Sequence, residues 1–156
     1  MNFISIKITN KEPAGHNDIE FSIGEISGYL RLDSYYFIIA IENEKTINTI
    51  PLALAKLFTF WKSKIIQMEN NQIIFLPIEF ADQYTRCLKV KKNKLELILE
   101  FGLSRIEGYS INPLNPEHYY QNVTDFKSNS LGRQTIPTST LVDSLDTQIK
   151  QLTECL

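Results

Sequence analysis

Hydrophobic and polar residues alternate along the first forty positions, as they do in half-buried strands. Residues 4–8 and 19–23 each carry isoleucine or phenylalanine at every second position, which predicts two strands. Turn-forming residues fill the interval between them, and glycines precede a further apolar stretch at residues 29–32. Residues 35–41 are apolar at almost every position. That pattern favours a central strand covered on both faces.

Residues 51–68 carry the pattern of a long amphipathic helix. Thr49 is placed to cap it, and Pro51 suits the first turn, where a missing N–H costs little. Apolar side chains recur at helical spacing and predict one buried stripe, made of Leu54, Leu57, Phe58, Trp61, Ile65 and Met68. A stripe of aromatic and aliphatic residues is more typical of core packing than of a cofactor site.

The pattern then returns to strands. A strand interrupted at Pro77 is expected to lie at a sheet edge, contain a bulge or end there, because proline donates no ladder hydrogen bond. Residues 84–90 and 95–101 alternate and flank a charged hairpin loop at residues 91–94. Residues 105–111 are expected to form a third strand. Together these segments predict an antiparallel meander.

The last third of the chain predicts a loop and a helix. Asn115 can cap a short helix after the meander, and the polar residues 127–137 are expected to form a mobile loop. The final helix should be capped near Thr138 or Ser139. Its buried stripe comprises Leu141, Leu145, Ile149, Leu152 and Leu156. We therefore expect one α+β domain over residues 1–156: a mainly antiparallel sheet of about six to eight strands, with one long central helix and a C-terminal helix.

Composition narrows the class of protein. The chain has 156 residues, of which 43% are hydrophobic and 22% charged, with a net charge of −2. These values exclude a disordered or collagen-like chain and argue against a dedicated nucleic-acid binder, which is usually strongly basic. The N-terminus lacks the pattern of a signal peptide, and the apolar runs fall short of the ~20 residues that cross a bilayer. We therefore expect a cytoplasmic protein that binds no membrane, with Cys87 and Cys155 as free thiols.

Charge is segregated along the sequence. Residues 1–55 carry a net charge of −3, residues 56–94 carry +5, and residues 95–156 carry −4. The basic block leaves a phosphate- or RNA-binding patch as a minor alternative to a solvated lysine face. The acidic flanks suit a basic partner protein, because complementary potentials speed association.

The motifs that announce an enzyme are missing. The sequence contains no P-loop, no dinucleotide-binding glycine motif and no metal-binding pair of histidines. We expect neither a cofactor nor a metal site. A nucleophilic pair of Cys87 and His118 stays open because such partners meet in space rather than in sequence, although a strand cysteine is most often a small buried hydrophobe.

Three carboxylates and one arginine stand out as candidate site residues. Arg86 shares strand parity with the apolar Leu88, so its charge needs a partner, and Glu79, Asp82 and Glu107 are the candidates. A structural ion pair is the favoured interpretation. The carboxylates are otherwise typical of turns, caps and strand faces.

Two stretches resemble small bacterial immunity proteins that protect against toxins of contact-dependent inhibition and related systems. They are residues 75–90 and residues 101–113, the latter continuing through Tyr119, Tyr120 and residues 123–126. The resemblance covers about a third of the chain. It implies a cytoplasmic protein without catalytic activity that binds and neutralises a cognate toxin, such as a nuclease-type toxin domain, by occluding its active site.

The sequence accordingly suggests a toxin as the partner and a monomer as the resting state. The expected partner-binding surface is acidic and aromatic, because aromatic side chains anchor interfaces and carboxylates meet basic nuclease clefts. Its residues are Glu79, Asp82, Glu107, Tyr109, Tyr119 and Tyr120. The first alternative is a small-ligand-binding or enzymatic domain with a pocket near Arg86 and Glu107. The second is an adaptor that dimerises through an exposed sheet edge.

Overall fold

The computed structural model describes residues 2–9, 12 and 14–154. The strands in this part of the chain are β1 (Ile4–Ile8), β2 (Ile19–Ile23), β3 (Leu30–Leu32), β4 (Ile73–Phe80), β5 (Thr85–Asn93), β6 (Glu96–Ser104) and β7 (Lys127–Pro137). The α-helices are α1 (Tyr35–Glu42), α2 (Ile50–Ile66) and α3 (Thr138–Glu154), and a single 3₁₀ turn spans Gly108–Ser110. No helix among these has both the length and the apolar character needed to span a bilayer.

The strands form two antiparallel sheets, of order β1-β2-β3 and β4-β5-β6-β7. The α+β class, the number of strands and the two long helices confirm the sequence prediction. The sequence did not predict that the strands divide between two sheets. The buried apolar faces of both sheets pack into one core together with α2 and α3.

Helix α2 follows its sequence pattern closely. The Thr49 hydroxyl accepts a hydrogen bond from the backbone N–H of Leu52, 3.3 Å away, and so caps the helix as expected. The whole predicted apolar stripe is buried. Within it, the indole N–H of Trp61 donates to the backbone carbonyl of Pro77 at 3.0 Å, which ties the helix to β4. Pro77 lies in an outer strand of its sheet, beside a register shift between Pro77 and Glu79. Of the three expected explanations for Pro77, an edge strand and a bulge therefore apply, whereas the strand does not end there.

The prediction of a central strand at residues 35–41 is wrong, because this segment is helix α1. Only Phe37 is fully buried in it, and Tyr35 and Ile39 are exposed. The apolar residues cover several sides of a short helix instead of two faces of a strand. Apolar runs of this length do not distinguish the two structures by periodicity.

The β5–β6 hairpin is tighter than its charged loop suggested. Asn93 pairs with Glu96, so only Lys94 and Leu95 form the turn, and Lys94 adopts a positive φ of 57°. The expected third strand at residues 105–111 does not form, because β6 ends at Ser104 and the following backbone turns away. The Arg105 N–H donates to the Asp125 carboxylate at 3.0 Å rather than to a neighbouring strand.

The polar residues 127–137 form strand β7 rather than a mobile loop. β7 pairs with β6 and is exposed along nearly its whole length, so its sequence lacks the apolar alternation that marks a half-buried strand. The expected short helix at Asn115 is absent, since residues 112–126 form only turns. Helix α3 begins at Thr138, one of the two residues expected to cap it. It buries Leu141, Leu145 and Leu152 of the predicted stripe, and Ile149 is half-buried. Cys155 and Leu156 lie outside the described residues.

Candidate functional site

A concave surface gathers part of the acidic and aromatic set that the sequence singled out. It has a volume of about 690 Å³ and is called here the tyrosine cleft. Asp82 and Tyr109 line it, and Glu79 and Glu107 lie beside lining residues. Its walls are His16, Asp33, Tyr35, Tyr36, Ile39, Phe80, Ala81, Asp82, Gln83, Tyr84 and Tyr109. Four separate stretches of the chain therefore build one site.

The fully buried Asp18 holds two of these stretches together. Its carboxylate accepts hydrogen bonds from the backbone N–H of Gly15 at 3.0 Å, the backbone N–H of Ser34 at 3.0 Å and the Ser34 hydroxyl at 2.7 Å. Ser34 is the N-cap of α1, where a negative charge complements the helix dipole. Asp18 thus fixes the loop that carries His16 against the helix that carries the first two tyrosines. Nothing in the sequence pattern singled out this residue.

The tyrosines of α1 form the first wall. The rings of Tyr35 and Tyr36 meet edge to face, with centroids 5.0 Å apart, and His16 stacks on Tyr35 at 6.3 Å. The Tyr36 hydroxyl donates a hydrogen bond to the Asp82 carboxylate across the cleft. This hydrogen bond raises the pKa of Tyr36 to about 12, so the phenol stays protonated and the carboxylate keeps its donor.

The opposite wall depends on the close approach of Gly108 to the end of β4. The Gly108 N–H donates to the Ala81 carbonyl at 2.6 Å. A Cβ atom at Gly108 would lie 2.5 Å from the backbone nitrogen and oxygen of Ala81, so only glycine fits. The next residue, Tyr109, is thereby placed at the cleft with 64% of its surface exposed. A hydrogen bond to the Glu107 carboxylate raises the pKa of Tyr109.

Glu79 is buried and holds one of the residues that line the cleft. It is 5% exposed, and its carboxylate accepts a hydrogen bond from the Tyr84 hydroxyl at 3.0 Å. Arg86 lies opposite in register, with its guanidinium 3.9 Å from the same carboxylate, and its charged group is 5.7 Å from the Tyr84 ring centroid. Burial raises the pKa of Glu79, with Arg86 and Tyr84 opposing that shift and Asp33 adding to it. The expected structural ion pair of Arg86 is therefore with Glu79.

Tyr119 and Tyr120 do not line the cleft. Tyr119 is 2% exposed, and its hydroxyl shares a hydrogen bond of 2.8 Å with Ser104 in a small cluster beside Phe75 and Cys87. It presents no surface to a partner. Tyr120 is half-buried against Phe60, and its ring lies 4.6 Å from the Lys64 ammonium nitrogen.

The nucleophilic pair that the sequence left open does not match the structure. Cys87 is fully buried, and burial raises the pKa of its thiol to about 12, so the thiolate is scarce at neutral pH. The neighbouring polar group is Tyr119, whereas His118 is exposed. Among the described residues, no three or more histidine, cysteine, aspartate or glutamate side chains are grouped closely enough to hold a metal ion.

A second, larger cavity lies on the other side of α1. This apolar groove has a volume of about 1270 Å³ and runs along β1, the start of α2 and the end of α3. Its apolar lining includes Ile6, Ile8, Ile38, Ile41 and Leu152. It combines few ionisable groups with a broad open mouth, and sequence reasoning did not predict it.

The basic middle block is neutralised in part by acidic residues from the last segment of the chain. Lys62 pairs with Asp146 at 2.6 Å, Lys64 with Glu117 at 2.8 Å, and Lys89 with Glu100 at 3.6 Å. Each pair joins a lysine of residues 56–94, the segment with a net charge of +5, to a carboxylate of residues 95–156, the segment with a net charge of −4. The described residues pair no lysine or arginine with the carboxylates of Asp33, Asp82 or Glu107. The cleft region therefore keeps its negative charge.

Comparison with known proteins identifies the fold. No family model and no curated protein matches the sequence. A solved structure described as a CdiA-CT/CdiI toxin and immunity complex from Enterobacter cloacae contains a chain with a TM-score of 0.52 and 12% sequence identity. The alignment covers 96% of this chain and 99% of that one. This protein therefore shares its fold, over almost its whole length, with a chain of a toxin and immunity complex.

Proposed function

We propose that the protein is an immunity protein that binds and neutralises a cognate bacterial toxin. The observation that carries the proposal is the fold shared with a chain of a toxin and immunity complex across 96% of the present chain. The acidic and aromatic cleft supports it, because such a surface is suited to a basic protein partner. The proposal of binding without turnover is supported by the burial of Cys87, because burial keeps the thiol that the sequence left open as a nucleophile protonated.

The proposed mechanism is occlusion of the toxin active site. A nuclease-type toxin carries cationic groups where it holds the phosphate backbone of its substrate. Asp82 and Glu107 would face those cations, and Tyr109 would supply exposed aromatic area at the centre of the contact. Glu79 would act indirectly, by accepting the hydrogen bond that positions the Tyr84 hydroxyl. Tyr120 lies outside the cleft, against Phe60 and Lys64, and Tyr119 belongs to the core. We place this binding in the cytoplasm and assign the unbound protein a monomeric state.

Coexpression tests the proposal. The protein is produced in the same cells as the toxin domain encoded by the neighbouring gene, and growth and complex formation are measured by plating and size-exclusion chromatography. Protection together with a stable complex of the two chains supports the function. A neighbouring toxin that kills with or without this protein, and does not co-elute with it, refutes the proposal. The elution volume of the free protein decides between monomer and dimer.

A small-ligand-binding domain is the second candidate, and the tyrosine cleft favours it. Its 690 Å³ falls in the size range of ligand sites, and Tyr109, which lines it, lies beside Glu107. Arg86 approaches the cleft only behind the ring of Tyr84. Native mass spectrometry of the purified protein distinguishes the candidates. A stoichiometric bound metabolite supports this second function, whereas an unliganded mass that shifts only on addition of the toxin supports the first.

A further inference from the structure

The tyrosine cleft combines two features that attract one chemical group. Tyr35, Tyr36, Tyr84 and Tyr109 surround it with aromatic rings, and Asp33 and Asp82 place carboxylates among them. Aromatic faces attract cations through the ring quadrupole. Carboxylates attract the same cations and hydrogen-bond them. Both features therefore select for positive charge.

The cleft supplies no strong cation of its own. His16 is the basic residue in its lining, and it is 74% exposed, 3.7 Å from the Asp33 carboxylate. Two groups near the cleft could attract an anion, but both already have acidic partners. The Tyr36 phenol donates its hydrogen bond to Asp82, and the Arg86 guanidinium pairs with Glu79. A phosphate or other anion would meet uncompensated carboxylates. A cation would meet carboxylates that pair with no lysine or arginine of the described residues.

The lining of the cleft favours a planar cation over a compact one. Its aromatic rings come from three parts of the chain, namely the α1 tyrosines, Tyr84 and Tyr109. A guanidinium group stacks on an aromatic ring while its edge donates two parallel hydrogen bonds to a carboxylate. An ammonium group is more strongly hydrated. It has no flat face to stack on a ring and cannot donate two parallel hydrogen bonds to one carboxylate. The volume also admits the side chain together with the backbone that carries it.

We infer that the tyrosine cleft accepts an arginine side chain of the partner protein, with the guanidinium stacked among the tyrosines and paired with Asp82. The inference rests on the proposed function in one respect, since the arginine belongs to the toxin that the protein neutralises. It adds to that function the chemical identity of the anchoring residue. Glu107, beside Tyr109, supplies further negative potential at the mouth of the cleft.

A peptide probe tests the inference without the toxin. Acetyl-Gly-Arg-Gly-amide is titrated into the isotopically labelled protein, and backbone and tyrosine ring signals are followed by NMR. We expect saturable shifts confined to the cleft residues, with a dissociation constant on the order of millimolar for a single partly exposed cation. The same peptide with citrulline, which has nearly the same shape but no charge, should give no saturable shifts. The lysine peptide should bind several-fold more weakly.

Two charge-neutralising variants complete the design. Asp82→Asn keeps an oxygen that accepts from Tyr36 but removes the charge, and should weaken arginine-peptide binding by about fivefold. Asp143→Asn makes the same change at an exposed position of α3, which lines no part of the cleft, and should leave binding unchanged. Unsaturable shifts, shifts outside the cleft, equal binding of citrulline or lysine, or equal loss in both variants would each overturn the inference.

The experiments distinguish a failure of the arginine inference from a failure of the proposed immunity function. If the wild-type protein protects cells and Asp82→Asn binds the toxin as tightly as Asp143→Asn does, the function stands and the arginine anchor is wrong. If the wild-type protein gives no protection while the cleft binds arginine selectively in the peptide titration, the anchor stands and its carrier is not this toxin.

Discussion

Cys87 illustrates how burial decides the chemistry of a residue. The sequence left it open as a nucleophile, but its thiol lies in a closed cluster with Phe75, Tyr119 and Val123. Burial raises its pKa to about 12, and the thiolate is the species that reacts. The residue is therefore a small core hydrophobe.

A thiol-reactivity measurement checks this assignment. In a Cys155→Ser background, Cys87 should react with an aromatic disulfide reagent only as fast as the protein opens, because the native thiol is both inaccessible and protonated. The same chain in urea should react at once. Rapid, complete modification of the native protein at neutral pH would show that the cluster does not shield the thiol.

Glu79 makes stability depend on pH in a defined direction. Its folded pKa lies above the ordinary value of 4.5 because the carboxyl is buried, so the folded state holds the proton more tightly than the unfolded state. The free energy of unfolding should therefore fall as pH rises from about 4.5 through the raised folded pKa, and then level off. Glu79→Gln keeps an acceptor for Tyr84 and removes the titration.

Urea unfolding at a series of pH values measures this effect. Relative to the wild type, Glu79→Gln should gain stability as pH rises from 4.5 through the raised folded pKa of Glu79, and the gain should then level off. Glu96→Gln, at an exposed position beside the β5–β6 turn, should give a difference that stays flat with pH. The opposite slope for Glu79→Gln would mean that the attraction of Arg86 outweighs burial.

At the scale of elements, local pattern predicted helix α2 and the strands with clear apolar residues, and it failed for helix α1 and strand β7. Helix α2 has one continuous apolar stripe with a cap and an early proline, and the structure confirms it. Helix α1 is apolar around its circumference, and β7 is polar throughout because nearly all of it faces solvent. Neither has the periodicity on which a local prediction depends.

The link between α2 and the four-stranded sheet gives an element-scale prediction. Trp61→Phe leaves the Pro77 carbonyl without its donor and shrinks a fully buried side chain. We expect a loss of about 2–3 kcal/mol in the free energy of unfolding. Urea unfolding followed by circular dichroism measures it, since the chain has no other tryptophan.

Phe58→Leu is a suitable comparison for that experiment. Phe58 is fully buried on the same helix stripe, with its ring centroid 5.3 Å from that of Trp61, so its replacement removes apolar volume but no hydrogen bond. It should cost about 1–1.5 kcal/mol. Equal losses for the two variants would mean that the indole hydrogen bond adds nothing to packing.

At the scale of the whole molecule, the class of fold was predictable and the site was not. Both long helices follow from helical spacing, and every strand of the described residues except β7 falls in a segment that the apolar pattern marks as a strand. The tyrosine cleft, in contrast, joins residues as far apart as His16 and Tyr109. Asp82 and Tyr109 were chosen for their chemistry, whereas His16, Asp33 and Tyr36 were missed. Spatial proximity across two sheets leaves no signal in local spacing.

The distribution of charge predicts how association depends on salt. Lysines of the middle block pair with acidic residues of the last segment, while Asp82 and Glu107 have no such partner among the described residues. The association rate with a basic toxin should therefore fall as ionic strength rises. Asp82→Asn/Glu107→Gln should slow association at low salt by about tenfold and flatten the salt dependence. Stopped-flow mixing measures both quantities.

A matched pair of substitutions shows whether position or net charge is responsible. Asp143→Asn/Glu96→Gln removes the same two charges from exposed positions outside the cleft. At an ionic strength of about 0.1 M it should change the association rate by less than about twofold, because screening then limits the range of exposed charges to about 10 Å. If both double variants slow association equally, net charge alone governs the encounter.

Helix α1 separates two cavities, and that position links their shapes. Tyr35, Tyr36 and Ile39 belong to the tyrosine cleft, while Ile38 and Ile41 belong to the apolar groove. α1 contributes neighbouring residues to both linings, so a substitution that displaced this eight-residue helix would be expected to change the tyrosine cleft and the apolar groove together.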